Sequence, residues 1–368
     1  MASKALLIGI RYKGRAFENQ PAGSAQLDGS HQDVRNIEEL IMKKYGYKRT
    51  DITLMMDDGV HKAPTRANII SEIKQLVKGA KTGDRFFFHF SGHGSQVVDT
   101  NGDEPDGYDE AIWPMDFKLN DDSSYIIDDD LRELMVNALP PGCRLTALFD
   151  SCHSGTILDL PNEVKGTPKS KTVSLPTVDH HPSPPTAHPI PVQSPLLARP
   201  PTPTIGTPPR TIFKLLSDHM HTVAPPVQTT EEAVHGILGL PYLAQGGIGK
   251  RARGAARNST ERPSLLVLEP NKKEGGPAGA IVTSWAACAD SESAYEGTTG
   301  AGAMVQAWIK ALKEPVEHTY ATLLQSLSDS LNEFCVKYNA ENPEDPPISQ
   351  VPQLGSLHAL TMANKFTL

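Results

Sequence analysis

Apolar residues fall in short dense runs separated by helically spaced ones through the first part of the chain. Lys4–Ile10 reads as a buried strand, and Ile52–Met56 and Arg85–Phe90 as two more. Within Asp33–Tyr45, Val34, Ile37, Leu40 and Ile41 recur at helical spacing. Ile69, Ile70, Ile73, Leu76 and Val77 repeat that spacing in a helix started at Pro64-Thr65 and ended by Gly79. Glu110–Trp113 predicts a short fourth strand. Asp128-Asp129-Asp130 opens a helix, where carboxylates suit the dipole, that runs to about Leu139 before Pro140-Pro141. The run from Leu145 to Phe149, stopped by Asp150, completes the series. Such β/α alternation predicts an α/β fold with a mainly parallel central sheet flanked by helices on both faces.

The character changes after Leu160. Residues 161–275 hold Pro182-Ser-Pro-Pro185, Arg199-Pro-Pro-Thr-Pro203 and a Gly/Arg-rich stretch at Gly246–Gly254, which predicts an extended, mobile insertion. Thr211–His219 and Thr230–Leu238 are candidate short helices inside it. Its Pro-x-x-Pro runs suit an aromatic-grooved partner, although a solvated linker is the plainer reading. Structure resumes with a strand at Gly279–Trp285, helical patterns at Gly302–Leu312 and Thr319–Tyr338, and a final strand at Ser356–Met362. The organisation expected is therefore residues 1–160, an insertion over 161–275, and residues 276–368 completing the same sheet.

Composition narrows the function classes. The net charge of −8 over 368 residues and a pI near 5.9 argue against nucleic acid and favour cationic ligands. No apolar run approaches the roughly 20 residues of a membrane span. The apolar stretch Ala5–Ile10 is too short for a signal sequence and leads into Arg11 and Lys13, so an intracellular location, cytoplasmic or nuclear, is expected. The four cysteines, Cys143, Cys152, Cys288 and Cys335, form no CxxC pair, and neither a disulfide framework nor a zinc site is indicated.

Two strand exits carry the candidate chemistry. The run ending at Asp150 is followed by Ser151-Cys-His-Ser-Gly155, which lifts Cys152 out at the strand's carboxyl end, where open α/β folds place their ligands. Arg85–Phe90 is followed by Ser91-Gly-His-Gly94 in the same manner. A thiol can attack a carbonyl once a base takes its proton, and His93 is the candidate base. Gly92 and Gly94 let the backbone approach a substrate closely and aim an amide at an oxyanion. His153 is adjacent to Cys152, and side chains of neighbours on a turn diverge, so it is read as structural. Cys143, Cys288 and Cys335 are read as core thiols.

Phe90-Ser-Gly-His-Gly-Ser95 and Phe149-Asp-Ser-Cys-His-Ser-Gly155 resemble the two catalytic motifs of the metacaspases, caspase-like cysteine peptidases of clan CD. The likeness covers residues 3–160 and about 278–368, including Ser284-Trp-Ala-Ala-Cys-Ala-Asp290, and skips the insertion. The spacing of His93 and Cys152 is comparable to the roughly 50 residues of caspases. The resemblance implies a caspase-like (caspase-hemoglobinase) fold, a His93/Cys152 dyad, and the amides of Gly94 and Cys152 as oxyanion donors. It also implies cleavage after Arg or Lys, with Asp33, Ser91, Asp150, Ser284 and Asp290 binding substrate. Leu27-Asp-Gly-Ser-His-Gln-Asp33 resembles the family's Gly-Cys-x-x-Asp segment, with Ser30 standing where a cysteine is common. Carboxylates in a partly desolvated pocket select a guanidinium or ammonium.

Acidic residues crowd between the two motifs. Asp99–Glu110 looks like an EF-hand loop but has Glu104 where glycine is required, and a strand precedes it rather than a helix. The family's calcium site instead matches Asp109, Asp128, Asp129 and Asp159. Converging carboxylates need a cation, and oxygen-only ligation favours a hard ion such as calcium. Asp103, Asp121 and Asp122 are left as a solvated face.

The reading expected from the resemblance is a calcium-stimulated cysteine endopeptidase acting on peptide and protein substrates as a monomer. It would be made latent and self-processed at Lys250, Arg251 or Arg253. Its motifs look like those of type I metacaspases, while the long insertion resembles type II and no Pro-rich prodomain precedes the first strand. The rival reading is a non-proteolytic caspase-like scaffold working in protein quality control through its Pro-rich insertion.

Overall fold

The computed structural model describes residues 1–104, 106–169, 266–267, 279–288, 294–296 and 300–368. Expectations for the insertion between 170 and 265 lie outside these, including both short helices and the basic run at Lys250, Arg251 and Arg253. Asp290 lies outside them as well.

In chain order the elements are β1 (Ser3–Gly9), α1 (Ser30–Tyr45), β2 (Ile52–Met56), α2 (Arg66–Val77), β3 (Arg85–Ser91), β4 (Gly94–Val98), β5 (Tyr108–Ile112), β6 (Ile126–Ile127), α3 (Asp128–Leu131), β7 (Arg144–Asp150), β8 (Asn162–Lys165), β9 (Leu266–Val267), β10 (Ile281–Ala286), α4 (Ala303–Lys313), α5 (Tyr320–Glu341) and β11 (Gln353–Ser356). The main sheet has the order β2-β1-β3-β7-β10-β11-β8-β9. Its first five strands are mutually parallel, and the last three add on antiparallel. Leu6, Leu7 and Ile8 are consecutive and at most 1% exposed, so both faces of the sheet are covered. Helix α4 packs against both α1 and α5, whereas α2 packs on the turn that follows α3. Trp285 of β10, Trp308 of α4, Tyr320 and Phe366 form one aromatic cluster that seals the later part of the chain onto the sheet.

The structure corrects four expectations. Glu110–Trp113 is not a strand of the main sheet. It belongs to β5 in a separate sheet of order β4-β5-β6, because no helical crossover follows β3 and the next strands pair antiparallel. The last strand is Gln353–Ser356, directly after Pro352, rather than Ser356–Met362. Asn162–Lys165, assigned to the insertion, pairs with β11 and therefore belongs to the sheet. The helix from Asp128 makes one α turn and then a wider π-type turn over Arg132–Asn137. Among the described residues, no helix is long and apolar enough to cross a membrane.

Candidate active site

Strands β3 and β7 are parallel neighbours, and their register sets Ser91 beside Asp150. Both strands end there, so Gly92-His93 and Ser151-Cys152 leave the sheet at the same edge. Two apolar runs with a polar residue at the same register thus become two adjacent exits. Gly94 lies so close to the second exit that a Cβ there would sit 2.3 Å from the carbonyl oxygen of Cys152. Only glycine permits that approach.

His93 is fully buried, and its Nε2 lies 2.8 Å from the carbonyl oxygen of Ala25. A carbonyl only accepts, so Nε2 carries the hydrogen and Nδ1 is the basic nitrogen. Burial pushes the imidazole down to about 4, with the Ala25 carbonyl partly opposing. At neutral pH the ring is therefore an uncharged base. Tyr12 stacks on it at 4.5 Å, and Phe17 and Trp113 surround it at 5.3 and 5.6 Å between ring centres. Cys152 is 2% exposed. The amide of Ala294 donates to its Sγ at 3.4 Å, and the thiol faces the Ala294 carbonyl at 4.0 Å. The backbone of this later segment covers the sulfur.

Next to these exits lies a pocket lined by Asp33, Ser91, Asp150, Glu296 and Gly302. The Ser91 hydroxyl donates to Asp33 Oδ2 at 2.9 Å, and the Gly302 amide to both Asp33 oxygens at 3.1 and 3.2 Å. The Val305 amide, in the first turn of α4, donates to Asp150 Oδ2 at 2.9 Å. Burial, and then the charge of Asp150, hold the Asp33 carboxyl well above the usual carboxylate range. Asp150 is pushed up to about 7 by burial and by Glu296. Glu296 rises to about 6 on burial, although its carboxylate accepts from the amides of Asp28 and Gly29. Three acids that resist ionising beside one another form a site that a guest cation would relieve.

A second acidic site forms where β5, α3 and the turn after Cys152 meet. Carboxylate oxygens of Asp103, Asp129 and Asp159 lie within 4.8 Å of one another, as do those of Asp99, Asp103 and Asp109. Asp128 is fully buried and accepts from the amides of Glu110 and Asp129 at 3.0 and 2.8 Å. Burial, followed by the charges of Asp159 and Asp109, raises it to about 8. Asp128 shares its oxygens' neighbourhood with Glu104 and Glu110 rather than with the other three matched aspartates, while Asp103, read as solvated, lies with Asp129 and Asp159 in one group and with Asp109 in another. Asp103 belongs to both groups because the turn from Asp99 to Glu104 folds back on itself, its amides bound to the Asp99 carboxylate. Asp159 sits at φ +49°, its carbonyl held by the Arg132 side chain. An all-oxygen, multiply anionic donor set fits a hard divalent cation.

Ser284 is not among the residues that line this pocket, and it is registered with Ala147 in the sheet, three positions before β7 ends at Asp150. Sequence reasoning also missed the Ala25 carbonyl, Tyr12 and Glu296. A backbone carbonyl has no side-chain signature, and one acid in a polar stretch carries no spacing to mark it.

The family described as "Metacaspase, peptidase C14 domain" matches residues 3–161. Over nearly the whole chain, the sequence is 34% identical to Metacaspase-1 of Cryptococcus neoformans, covering 97% of this chain and 63% of that protein. It is 32% identical to Metacaspase-1A of Aspergillus terreus, covering 97% of this chain and 71% of that one, and 32% identical to Metacaspase-1 of Pyricularia oryzae, covering 98% and 73%. The chain belongs to the metacaspase family, and its fold is the caspase-like fold of peptidase C14. The chain spans under two thirds of the length of the Cryptococcus relative. A crystal structure of protein GSU0716 from Geobacter sulfurreducens overlays with a TM-score of 0.47 at 18% identity, covering 97% of this chain and 93% of that one.

Proposed function

We propose that the chain is a cysteine endopeptidase that cleaves after Arg or Lys. The observation that carries the reading is the pair of strand exits. They bring the segments that carry Cys152 and a neutral, buried His93, whose Nε2–H is spent on Ala25, out at one edge of the sheet next to a pocket of raised carboxylates, which supports pairing the two as nucleophile and base. His93 Nδ1 takes the thiol proton, and Cys152 Sγ attacks the carbonyl carbon of the scissile bond. The amides of Gly94 and Cys152 are the donors proposed for the oxyanion. The proton returns from His93 to the leaving amine. Water, deprotonated by His93, then releases the acyl group from Cys152. Asp33 and Asp150, with Ser91 on Asp33, hold the cationic side chain.

Asp109, Asp128, Asp129 and Asp159 would hold a calcium ion, whose double positive charge would offset their mutual repulsion. That ion would order the turn carrying Asp159, seven residues after Cys152. The Ala294 backbone over the sulfur supports a chain made latent. Self-cleavage near Lys250, Arg251 or Arg253 and a cytoplasmic or nuclear site of action belong to the same proposal. Hydrolysis of fluorogenic peptides ending in Arg, Lys or Asp, with calcium and with chelator, tests it. Calcium-dependent cleavage of the Arg and Lys peptides is expected. Preference for Asp, or no hydrolysis of any peptide under either condition, overturns it.

A further inference from the structure

Three independent features converge on Tyr12, a residue outside both catalytic motifs. Its backbone is left-handed, at φ +51°, an arrangement a bulky side chain adopts only when its surroundings enforce it. The enforcement is visible: the Asp57 carboxylate accepts the Arg11 amide at 2.8 Å and the Tyr12 amide at 2.9 Å, and is itself paired with His31 at 2.6 Å. The hydroxyl is buried and used twice. It accepts the His93 amide at 3.0 Å and donates to the Trp113 carbonyl at 2.6 Å. Trp113 in turn donates its amide to the His93 carbonyl at 3.0 Å, which closes a ring of three hydrogen bonds around the backbone of the base. Finally, the phenol ring lies on the imidazole at 4.5 Å with the planes only 28° apart.

A tyrosine needed only to fill space would require neither the strained backbone nor both hydroxyl bonds. We propose that Tyr12 is a positioning residue for the base: its hydroxyl locks the His93 backbone and its ring face supports the imidazole in the orientation that meets Cys152. The inference rests on the reading of His93 as the base. The two parts of the side chain do different things. The hydroxyl fixes where the ring sits, and reaction rates fall steeply when a reacting group is displaced by a fraction of an ångström to 1 Å. The π face favours the imidazolium that forms as the thiol is deprotonated, by a cation–π contact. Tyr12, Phe17, Trp113 and the Ala25 carbonyl face the His93 ring, and of these three side chains Tyr12 alone is titratable. Burial holds its phenol well above the usual range, so it stays neutral.

The test compares Tyr12→Phe, Tyr12→Leu and His93→Ala with the native chain. Active sites are counted by alkylation of Cys152, and turnover is measured on whichever Arg, Lys or Asp peptide the native chain cleaves. Tyr12→Phe keeps the stack and loses the ring of hydrogen bonds. Its kcat per titrated site should fall about tenfold with KM unchanged and an unaltered pH midpoint of alkylation. Tyr12→Leu loses the stack too, and its alkylation midpoint should move to higher pH by about half a unit. A residue that merely fills the core would lower the melting temperature and the number of titrated sites, leaving kcat per site and the midpoint alone. Turnover per site within about twofold of native in Tyr12→Phe therefore overturns the proposal, even if Tyr12→Leu fails to fold. Hydrolysis retained by His93→Ala would instead overturn the assignment of the base, a separate outcome.

Discussion

Replacing Asp128 with asparagine separates charge from shape at the acidic site. Asp128 is fully buried and lifted from 3.8 to about 8 by burial and by the charges of Asp159 and Asp109. A folded-state pKa raised above the unfolded one means that stability is fully present below the unfolded value and lost as pH rises through the folded one. At about pH 7.5, below the folded value, Asp128 is held mainly neutral in the metal-free fold but ionised in the unfolded chain, which at about 1.36 kcal/mol per pKa unit costs the fold up to about 5 kcal/mol. Asparagine removes that cost but cannot accept both the Glu110 and Asp129 amides, so one buried donor loses its partner at a cost of about 1–3 kcal/mol. In chelator at about pH 7.5, Asp128→Asn should therefore melt higher than the native chain by about 3 °C, taking a net of about 2 kcal/mol and the unfolding entropy of a chain of this length. Near pH 4 the charge penalty is gone and only the lost hydrogen bond remains, so the order should reverse. The buried, depressed His89 and His93 destabilise both proteins equally on acidification and cancel in the comparison. Calcium should raise the melting temperature of the native chain and do so far less in the variant. Thermal unfolding followed by circular dichroism reads all three. A variant less stable than native at both pH values, with no crossing, would refute the like-charge account of this site.

The remaining predictions concern the dyad and the pocket. Cys152→Ala should abolish peptide hydrolysis while Cys288→Ala and Cys335→Ala retain it, and turnover by the Cys152→Ala protein would remove that residue as the nucleophile. In Gly302→Ala a Cβ would meet Asp150 Oδ2 at 2.1 Å, so cleavage after Arg should drop at least about 100-fold while Cys152 still alkylates. Equal loss of alkylation would place the damage at the nucleophile instead. Asp150 titrates at about 7 and His93 at about 4, so KM for an Arg peptide should rise as pH falls through 7 while kcat holds until lower pH. A kcat that collapses together with KM near pH 7 would contradict that assignment.

The parallel half of the fold could be read from the chain because its determinants are local. β2 coincides with the expected Ile52–Met56, and β1 and β3 differ from expectation by single residues, since each is a continuous apolar run buried on both faces. The exits carrying His93 and Cys152 were equally visible, as strand, polar stop, and glycine. The antiparallel end was not: β8 and β11 have four residues each, too few to show a period. What completes the site comes from distant segments. The Ala25 carbonyl and Tyr12 reach His93 from the loop after β1, and Glu296 reaches the pocket from the far side of the insertion. Asp103 has no local pattern separating it from Asp121 and Asp122, yet folding of the turn brings only Asp103 to Asp129 and Asp159. Side-chain type and spacing can nominate a nucleophile, a base and an acid, because those are properties of residues. Which carbonyl fixes the tautomer, which ring faces the candidate base and which carboxylates crowd one another depend on through-space distances of a few ångströms, and only the packed chain sets those.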